Sequence, residues 1–382
     1  MPHVLLVPDL PLEHWPSMDR YAHRLFNALK QAGSDVELSL ANDIDEERPA
    51  PLIRSSTPHD LPVNPKFGWQ DLRRHYTRYR TYPRRVRHMQ ADVMHVLDHS
   101  YAHMIRAKRN AASIVSVHDM MPVLAVQRKA TRIREHMQHR ALQWILNNLR
   151  QADGYMVATE WMREQLSEWL GSGDNIFVVP YGVDERFFNE PTESPDSTRQ
   201  RWGIPPNSFV VLHIGSVGPR KNFNTVIAAV DGLGRAGLDA RLLQVGGNLS
   251  REQLAEVEAR DLKDHVTTLG VTNESELRAA YRAANVLLFP SLYEGFGSPV
   301  LEAMASELPV ISSGAGGLTE VGGDAAVVVG GREVEPYVKA IERIHNDEAM
   351  RKELIRKGVE NARKYTWPEA ARKAAAVYES VA

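Results

Sequence analysis

Two glutamates, Glu294 and Glu302, flank the segment EGFGSPVLE, in which two glycines, a serine and a proline lie between them. A pair of carboxylates could serve as acid and base, as in glycoside hydrolysis. Carboxylates could equally accept hydrogen bonds from sugar or ribose hydroxyls, which needs no proton transfer. A third interpretation is a solvated loop glutamate followed by a helix glutamate that complements the helix dipole. The residue types alone leave these interpretations open.

A second candidate site lies in VVLHIGSVGPRKNFN, where Gly215 ends a predicted strand and Arg220 and Lys221 precede a predicted helix. A glycine lets backbone approach a ligand, a helix N-terminus carries partial positive charge, and the two side chains add full positive charges. Such an arrangement suits a phosphate group, and a surface Arg-Lys pair at a helix start is the plain alternative. The order of residues differs from a Walker loop and from the G-x-G-x-x-G motif.

The elements that position these residues follow from the apolar pattern. Twelve short apolar runs alternate with amphipathic stretches, six before residue 184 and six after it. Continuous apolar strands separated by helices indicate parallel sheets that are covered on both faces. The sequence therefore predicts an α/β fold with two doubly wound domains, and ligands at the carboxyl ends of the strands, in the cleft between the domains. The polar, proline-rich stretch 184–208 is interpreted as the linker between them.

The apolar run NVLLFPS precedes the two glutamates, so Glu294 is predicted in the loop that follows a strand. Ser298 is predicted as the N-cap of the next helix and Pro299 as its first helical residue. Glu302 would then lie about one turn into that helix. We therefore expect the two carboxylates to line the same pocket without touching each other.

Composition excludes several function classes. The 382 residues include no cysteine, which excludes disulfides, thiolate metal sites and cysteine nucleophiles. We find no apolar run of about 18 residues and no signal-peptide pattern, so a soluble, cytoplasmic protein is expected. Histidines 95, 99 and 103 recur every four residues, but His95 falls inside a predicted strand. They cannot share one helical face, and no metal site is predicted.

The stretch from Lys66 to Arg150 is strongly basic, with 17 Lys or Arg residues against 5 Asp or Glu residues, although the whole chain has a net charge of only -2. It interleaves arginines, among them Arg84, Arg85 and Arg87, with tyrosines. The stretch could bind anionic lipid headgroups or a lipid-linked acceptor, which would place the protein peripherally on the inner membrane face. A solvated basic helical face is the alternative. Nucleic acid is not an expected partner, because no recognised nucleic-acid module is present.

Four stretches in a fixed order resemble one protein family. They are VVPYGVDERFF, HIGSVGPRKNFNTVIAA, LGVTNESELRAAYRAANVLLFPSLYEGFG and EGFGSPVLEAMASELPVISS. The chain resembles, over nearly its whole length, the retaining nucleotide-sugar glycosyltransferases of family four (glycosyl transferases group 1), whose signature is E-x7-E. The resemblance implies the GT-B fold of two facing Rossmann-like domains. The implied domains are an acceptor-side domain, 1–183 plus 368–382, and a nucleotide-sugar-binding domain, 184–367.

The resemblance also implies roles for individual residues. Glu294 would accept hydrogen bonds from the donor sugar, Glu302 would bind the ribose diol, and Arg220 with Lys221 would neutralise the departing diphosphate. His118, in VSVHDMMP, would hydrogen-bond the donor sugar near the reacting centre. The remaining donor-binding residues that the resemblance implies are Gly215, Val271, Phe296, Gly297 and Ser298.

The activity that the resemblance implies is transfer of a hexose of mannose or glucose type from GDP-mannose or a UDP-sugar to a glycan or lipid-linked acceptor, as in polysaccharide biosynthesis. The transfer would retain anomeric configuration and would need neither metal nor cofactor. A nucleotide-sugar epimerase of similar fold and a non-catalytic nucleotide-sugar or membrane-binding module are the alternatives. Two positions depart from the family pattern: Pro16-Ser17 replaces a common glycine pair, and Tyr181 stands where relatives often carry asparagine.

Overall fold

A computed structural model describes residues 1–10, 13, 15–32, 36–41, 69–108, 110–127, 133–189, 193–270 and 272–382. The chain forms two compact units. The first contains the described residues up to Gly182 together with Trp367–Ala382, and the second contains Val183–Thr366. Each unit has a six-stranded sheet whose neighbouring strands pair in parallel. The predicted α/β class with two doubly wound sheets is therefore confirmed.

The sheet of the first unit has the order β2-β1-β3-β4-β5-β6. Its strands are β1 His3–Val7, β2 Glu37–Leu40, β3 Val93–Val96, β4 Ala112–Ser116, β5 Gly154–Val157 and β6 Ile176–Val178. The helices before Gly182 are α1 Pro16–Gln31, α2 Trp69–Tyr76, α3 Tyr82–Arg87, α4 Met121–Gln127, α5 Ile133–Leu149 and α6 Glu160–Leu170. Consecutive residues of β1, Val4, Leu5 and Leu6, are fully buried, as expected for a parallel strand covered on both faces.

The sheet of the second unit has the order β12-β11-β10-β7-β8-β9. Its strands are β7 Phe209–Gly215, β8 Ala240–Gly246, β9 Val266–Leu269, β10 Val286–Phe289, β11 Val310–Ser312 and β12 Ala326–Val328. Its helices are α7 Pro195–Arg201, α8 Phe223–Arg235, α9 Arg251–Ala259, α10 Glu274–Ala283, α11 Ser298–Ala305, α12 Leu318–Gly322, α13 Val334–Asn346 and α14 Glu348–Ala362. The strand order reverses between β7 and β10. Such a reversal opens a crevice at the carboxyl ends of the two strands.

The last helix, α15 Trp367–Val381, belongs to the first unit. It packs against α1, and its small residues Ala371 and Ala374 are fully buried there beside Leu25. The hydroxyl of Tyr378 lies 2.8 Å from Nδ1 of His95 on β3, so a polar contact fixes the helix on the sheet. The hydrophobic core of the first unit is therefore completed by residues from the end of the chain.

The stretch 184–208, predicted as a linker, instead packs on the second unit in its described part. Phe187 is 3% exposed and Thr198 on α7 is fully buried. Arg199 donates hydrogen bonds to the carbonyl of Ala283 and to Asn285, at 2.8 and 2.9 Å. The chain passes from the first unit to the second at Gly182 and Val183.

One predicted helix start differs in detail from the structure. Helix α11 begins at Ser298 itself, its N-cap is Gly297, and no side chain caps it, so the predicted N-cap role of Ser298 is wrong. Helix α1 begins at Pro16, with Trp15 as its N-cap. None of the helices in the described ranges is both long and apolar enough to cross a membrane.

Candidate active site

The predicted phosphate motif and the first glutamate meet at the point where the strand order reverses in the second unit. Lys221 ends a 3-10 turn after β7, and Glu294 lies in the loop after β10. Lys221 Nζ donates to Glu294 Oε1 at 2.7 Å, and Arg220 Nη1 lies 3.1 Å from Glu294 Oε2. Residues that the sequence places in separate motifs therefore form one cluster, which we call the Glu294 cluster: Arg220, Lys221 and Glu294.

The Glu294 cluster is charged and largely removed from solvent, since Lys221 and Glu294 are each 8% exposed. Burial alone would raise the pKa of Glu294, but Lys221 and Arg220 reverse that effect and lower it to about 2. Burial also lowers the pKa of Lys221, and Glu294 opposes that shift. The cluster thus holds one carboxylate against two cations and carries a net positive charge.

Two further contacts fix the lysine. Its ammonium lies 4.5 Å from the centroid of the Phe289 ring, within the range of a cation-π interaction. Gly215 has a φ of 126°, and a Cβ added there would lie 3.3 Å from Lys221 Cε. The glycine at the end of β7 therefore makes room for the lysine side chain. The predicted reason for this glycine was that it lets the backbone approach a phosphate, so the structure gives it a different role.

The loop after β10 is tied to its surroundings by backbone. Arg220 Nη1 donates to the carbonyl of Tyr293, and the Leu292 amide donates to the carbonyl of Arg220, both at 2.8 Å. Gly297 ends the loop with a φ of 97°, and a Cβ there would collide with the Leu318 side chain. The loop therefore reaches α11 through a conformation that only glycine adopts without strain. Phe296, just before it, is buried against Tyr365 with ring centroids 5.9 Å apart.

Glu302, the second glutamate, has its own hydrogen-bond partner. It lies on α11 and is 6% exposed, and its Oε2 accepts a hydrogen bond of 2.8 Å from the hydroxyl of Tyr281 on α10. Sequence reasoning missed Tyr281. The available signal was a single aromatic residue within the alanine-rich face of RAAYRAAN.

His118 lies in the first unit, just after β4. Its Nε2 donates to the carbonyl of Leu97 at 2.7 Å, because a carbonyl can only accept. Its Nδ1 then accepts from the hydroxyl of Tyr181 at 2.5 Å. Burial lowers the pKa of His118, although Asp98 opposes that shift, so the ring is neutral near pH 7. Tyr181, which departs from the family pattern, is thus one of the two groups that hold the histidine ring.

The remaining predicted residues divide into two groups. Val271 lies outside the described residues. Arg84, Arg85 and Arg87 lie on α3 with exposed side chains. Arg78, from the same basic stretch, turns inward and donates to Glu13 at 3.1 Å, so part of the positive charge in this stretch is compensated inside the first unit.

The histidines 95, 99 and 103 lie on two elements, since His99 and His103 share the 3-10 stretch His99–Ala107 after β3. His95 lies in β3 and is hydrogen-bonded to Tyr378 and to Ser116, each at 2.8 Å. His103 instead bonds the carbonyl of Arg78 at 3.2 Å. Within the described ranges, no three histidine or carboxylate side chains come together in a way that could hold a metal ion.

Comparison with known families gives two matches that together cover most of the chain. The model described as Glycosyltransferase Family 4 matches residues 18–187, and the model described as Glycosyl transferases group 1 matches residues 195–362. The two matches lie one after the other, and the second lies wholly within the second unit. They correspond to the family that the four sequence stretches resemble.

The individual relatives named next share less than 30% of their aligned residues with this chain. A D-inositol 3-phosphate glycosyltransferase of Corynebacterium diphtheriae is 27% identical over 77% of this chain and 72% of its own length. A 2-deoxystreptamine glucosyltransferase of Streptomyces kanamyceticus is 29% identical over 53% of each chain. Other D-inositol 3-phosphate glycosyltransferases align over little more than half of their length.

Solved structures share the fold. Sucrose-phosphate synthase from Thermosynechococcus elongatus superposes with a TM-score of 0.74 at 22% identity, over 100% of this chain and 99% of that one. Anabaena HepE in complex with UDP-glucose superposes with a TM-score of 0.73 at 15% identity, over the full length of both chains. At such low identity the likeness concerns the fold alone, and it confirms the predicted GT-B class.

Proposed function

The chain belongs to the glycosyltransferases of family 4 and group 1, and from this premise we propose that it transfers a hexosyl unit from a nucleoside diphosphate sugar to a hydroxyl acceptor with retention of configuration. The observation that carries the proposal is the Glu294 cluster. It combines two cations and a carboxylate at the carboxyl ends of β7 and β10, where a doubly wound sheet binds its ligand.

The chemistry of the transfer suits this set of charges. When the bond between the anomeric carbon and the phosphate oxygen breaks, negative charge develops on the phosphate and positive charge on the sugar. Lys221 and Arg220 would stabilise the phosphate, and the Glu294 carboxylate, ionised down to a pH of about 2, would accept from sugar hydroxyls and oppose the positive charge. The acceptor oxygen would form the new bond, and its proton would pass to the departing phosphate, as the resemblance implies.

The start of α11 supports the same assignment. Ser298 and the residues after it present a helix N-terminus without a side-chain cap, and such a terminus attracts phosphate oxygens. Glu302, held by Tyr281, would accept from the ribose hydroxyls. The backbone shape of the two loops would depend on Gly297, Phe296 and Gly215, and these residues would contribute to donor binding in that way.

The donor and acceptor are proposed by class. UDP- and GDP-hexoses are both candidate donors, and the neighbour HepE is described with UDP-glucose. A glycan or a lipid-linked sugar is the proposed acceptor. Two relatives are named as glycosyltransferases of D-inositol 3-phosphate and of 2-deoxystreptamine. Small polyhydroxylated rings are therefore a further proposed class of acceptor.

A membrane surface is proposed as a further partner. Arg84, Arg85 and Arg87 are exposed on α3, and exposed aromatic side chains lie near them in sequence, with Tyr76 57% and Tyr79 36% exposed. Basic residues mixed with aromatic residues suit an anionic membrane interface. The proposed location is therefore the cytoplasm, with peripheral binding to the inner membrane face.

A nucleotide-sugar panel tests the proposed function with the full chain. The chain is first heated with UDP-glucose, UDP-galactose, UDP-N-acetylglucosamine and GDP-mannose. A donor at about 100 times its dissociation constant adds about 2.7 kcal/mol of stability, which is a measurable rise in melting temperature. Donor consumption is then followed with and without sugar, cyclitol and lipid-linked acceptors, and the anomeric configuration of the product is read by NMR.

The outcomes separate the candidate functions. Release of nucleoside diphosphate only with an acceptor, and a product that keeps the donor's anomeric configuration, supports the transferase. Release of an altered sugar without acceptor would support the epimerase. Binding without turnover on any acceptor would support a non-catalytic module, and an inverted product would refute the retaining mechanism.

A further inference from the structure

Two carboxylates of the first unit, Asp9 and Asp98, follow the neighbouring strands β1 and β3 and lie close together. Val7 pairs with Val96 in the sheet, and each aspartate comes two residues later on its chain. Each is 5% exposed, and the two side chains are near enough to repel each other. We call this site the Asp9 cluster and define it by four residues: Asp9, Arg78, Asp98 and His99.

Asp9 is buried without a hydrogen-bond partner. Neither of its carboxylate oxygens has a partner among the described residues. Tyr82 lies near it but donates to the carbonyl of Pro8 at 2.7 Å. Tyr101 also lies near it but donates to Glu13 at 3.2 Å. The fold therefore leaves Asp9 without the hydrogen bonds that buried polar groups normally have.

The other members of the cluster direct their polar atoms elsewhere. Arg78 donates from its terminal nitrogens to Glu13 and to the carbonyl of Ser100, at 3.1 and 2.6 Å. Its Nε has no partner in the described part of the chain. His99 Nδ1 lies 4.0 Å from Asp98, which is beyond hydrogen-bond distance, and it also lacks a partner there. Unsatisfied buried polar atoms are therefore concentrated in this cluster.

An unpaired buried carboxylate is costly for the fold. Burial raises the pKa of Asp9, and the neighbouring Asp98 raises it further. Arg78 opposes this rise in pKa without reversing it. A buried polar group that its own chain leaves unsatisfied calls for an explanation, and a polar ligand supplies one.

We propose that the Asp9 cluster binds an amino group of the acceptor, so that the acceptor is a polyhydroxylated compound that bears an amine. The inference rests on the proposed function, because it needs an acceptor in the first unit. An ammonium group donates three hydrogen bonds and brings the positive charge that stabilises two neighbouring carboxylates. A phosphorylated acceptor would instead bring negative charge beside Asp9 and Asp98.

The cluster also has a suitable location. The rings of His99 and His118 have centroids 6.3 Å apart, and His118 is the residue predicted to contact the donor sugar near the reacting centre. An amine held by the cluster would therefore place neighbouring hydroxyls of the acceptor beside His118. A site that pairs with an amine also rejects the neutral analogue, because its buried polar groups then stay unpaired.

The test compares acceptors that differ in one group. The full chain, saturated with UDP or GDP, is titrated calorimetrically with glucosamine and glucose, and with an aminodeoxy-scyllo-inositol and scyllo-inositol. With the same four acceptors, kcat/KM is measured for release of nucleoside diphosphate from the donor that the nucleotide-sugar panel identifies. The variant is Asp9→Asn, which keeps the shape of the side chain and removes its charge.

Asp153→Asn is the matched control. Asp153 precedes β5 at the opposite edge of the same sheet, and its carboxylate accepts from the amide and the hydroxyl of Ser113 at 2.8 and 2.7 Å. The control therefore makes the same chemical change in a carboxylate that the fold satisfies.

The expected result is a preference for the amine that depends on Asp9. In at least one pair, the wild-type chain should bind and use the amine about tenfold better than its hydroxyl counterpart, and Asp9→Asn should reduce that ratio to about threefold or less. Asp9→Asn should melt no lower than wild type, because the lost carboxylate has no partner in the described part of the chain. Asp153→Asn should melt lower than wild type and keep the preference.

Three results would overturn the inference. If the wild-type chain binds the amines no more tightly than their hydroxyl counterparts, the cluster selects no amine. If the preference persists in Asp9→Asn, another group selects the amine, and if Asp9→Asn melts lower than wild type, the carboxylate serves the fold. Release of nucleoside diphosphate with a hydroxyl acceptor would leave the proposed function standing in each case. If no nucleotide sugar of the panel binds or turns over, the proposed function itself fails and the inference fails with it.

Discussion

Glu294→Gln keeps the shape of the side chain and removes the charge that pairs with Lys221 and Arg220. The pKa of Glu294 falls from its ordinary value of 4.5 to about 2 in the folded chain. That difference corresponds to about 3 kcal/mol of folding stability at neutral pH. Because the folded-state pKa is depressed, this stabilisation is fully present above pH 4.5 and is lost as the pH falls toward 2. About half of it should remain at pH 3.

Urea unfolding of wild type and variant at pH 7, 5, 4 and 3 measures this contribution. Fluorescence and circular dichroism report the midpoints of unfolding. Because the two units need not unfold together, there can be two transitions, and the one compared is the transition that the substitution shifts. The variant should be less stable than wild type at pH 7. The difference between their free energies of unfolding should be about 1.5 to 2 kcal/mol smaller at pH 3 than at pH 7.

Glu335→Gln is the matched control for this experiment. Glu335 pairs with Lys339 at 3.3 Å, but both side chains are about 70% exposed, so its removal should change little at any pH. A gap between wild type and Glu294→Gln that stays constant within about 0.5 kcal/mol from pH 7 to pH 3 would refute the assignment of Glu294 as a carboxylate held ionised by Lys221 and Arg220.

Three further experiments test other parts of the structure. Gly297→Ala should lower the free energy of unfolding in urea by about 2 to 4 kcal/mol, because it adds crowding against Leu318 to the strain of a left-handed residue. Gly203→Ala is the control and should cost only about 1 kcal/mol, because Gly203 has a φ of 66° and open space around it. Lys221→Ala, Glu294→Ala and His118→Ala should each lower turnover about 100-fold or more in a donor-release assay, a loss of about 2.8 kcal/mol, and near-wild-type rates in folded variants would contradict their roles. Binding to anionic liposomes should fall steeply with added salt and with charge reversal on α3, and binding that is insensitive to salt would contradict an electrostatic contact. The residues to reverse are Arg84, Arg85 and Arg87.

The strands in the described part of the chain were predictable from sequence because most are short runs of apolar, often β-branched residues. In a parallel sheet covered by helices both faces are buried, so no alternation interrupts the run. Val4, Leu5 and Leu6 of β1 illustrate this, as all three are fully buried. The stretch 184–208 was predicted as a linker because it contains few apolar residues. Phe187 is one of the few that anchor its described part on the second unit. Its polar side chains hold it there through contacts that no apolar pattern in the sequence reveals.

The candidate site was predictable in its residue types and less so in its pairing. Lys221 and Glu294 are separated by 73 residues, and only the strand order brings the ends of β7 and β10 together. Ser298 failed as an N-cap because the preceding glycine, at a φ of 97°, already forms the end of the loop. Tyr181 was noted as an exception in sequence, yet its bond to His118 depends on β4 and on the residues after β6 meeting in one sheet.

Helix α15 also determines the order in which the protein can be completed during synthesis. The residues that fill the core of the first unit, such as Ala371 and Ala374, leave the ribosome only after all of Val183–Thr366 has been made. The second unit can therefore fold while the first still lacks one layer of its core. Until α15 has been made, the apolar face of α1 around Leu25 lacks this partner helix and needs protection from other chains.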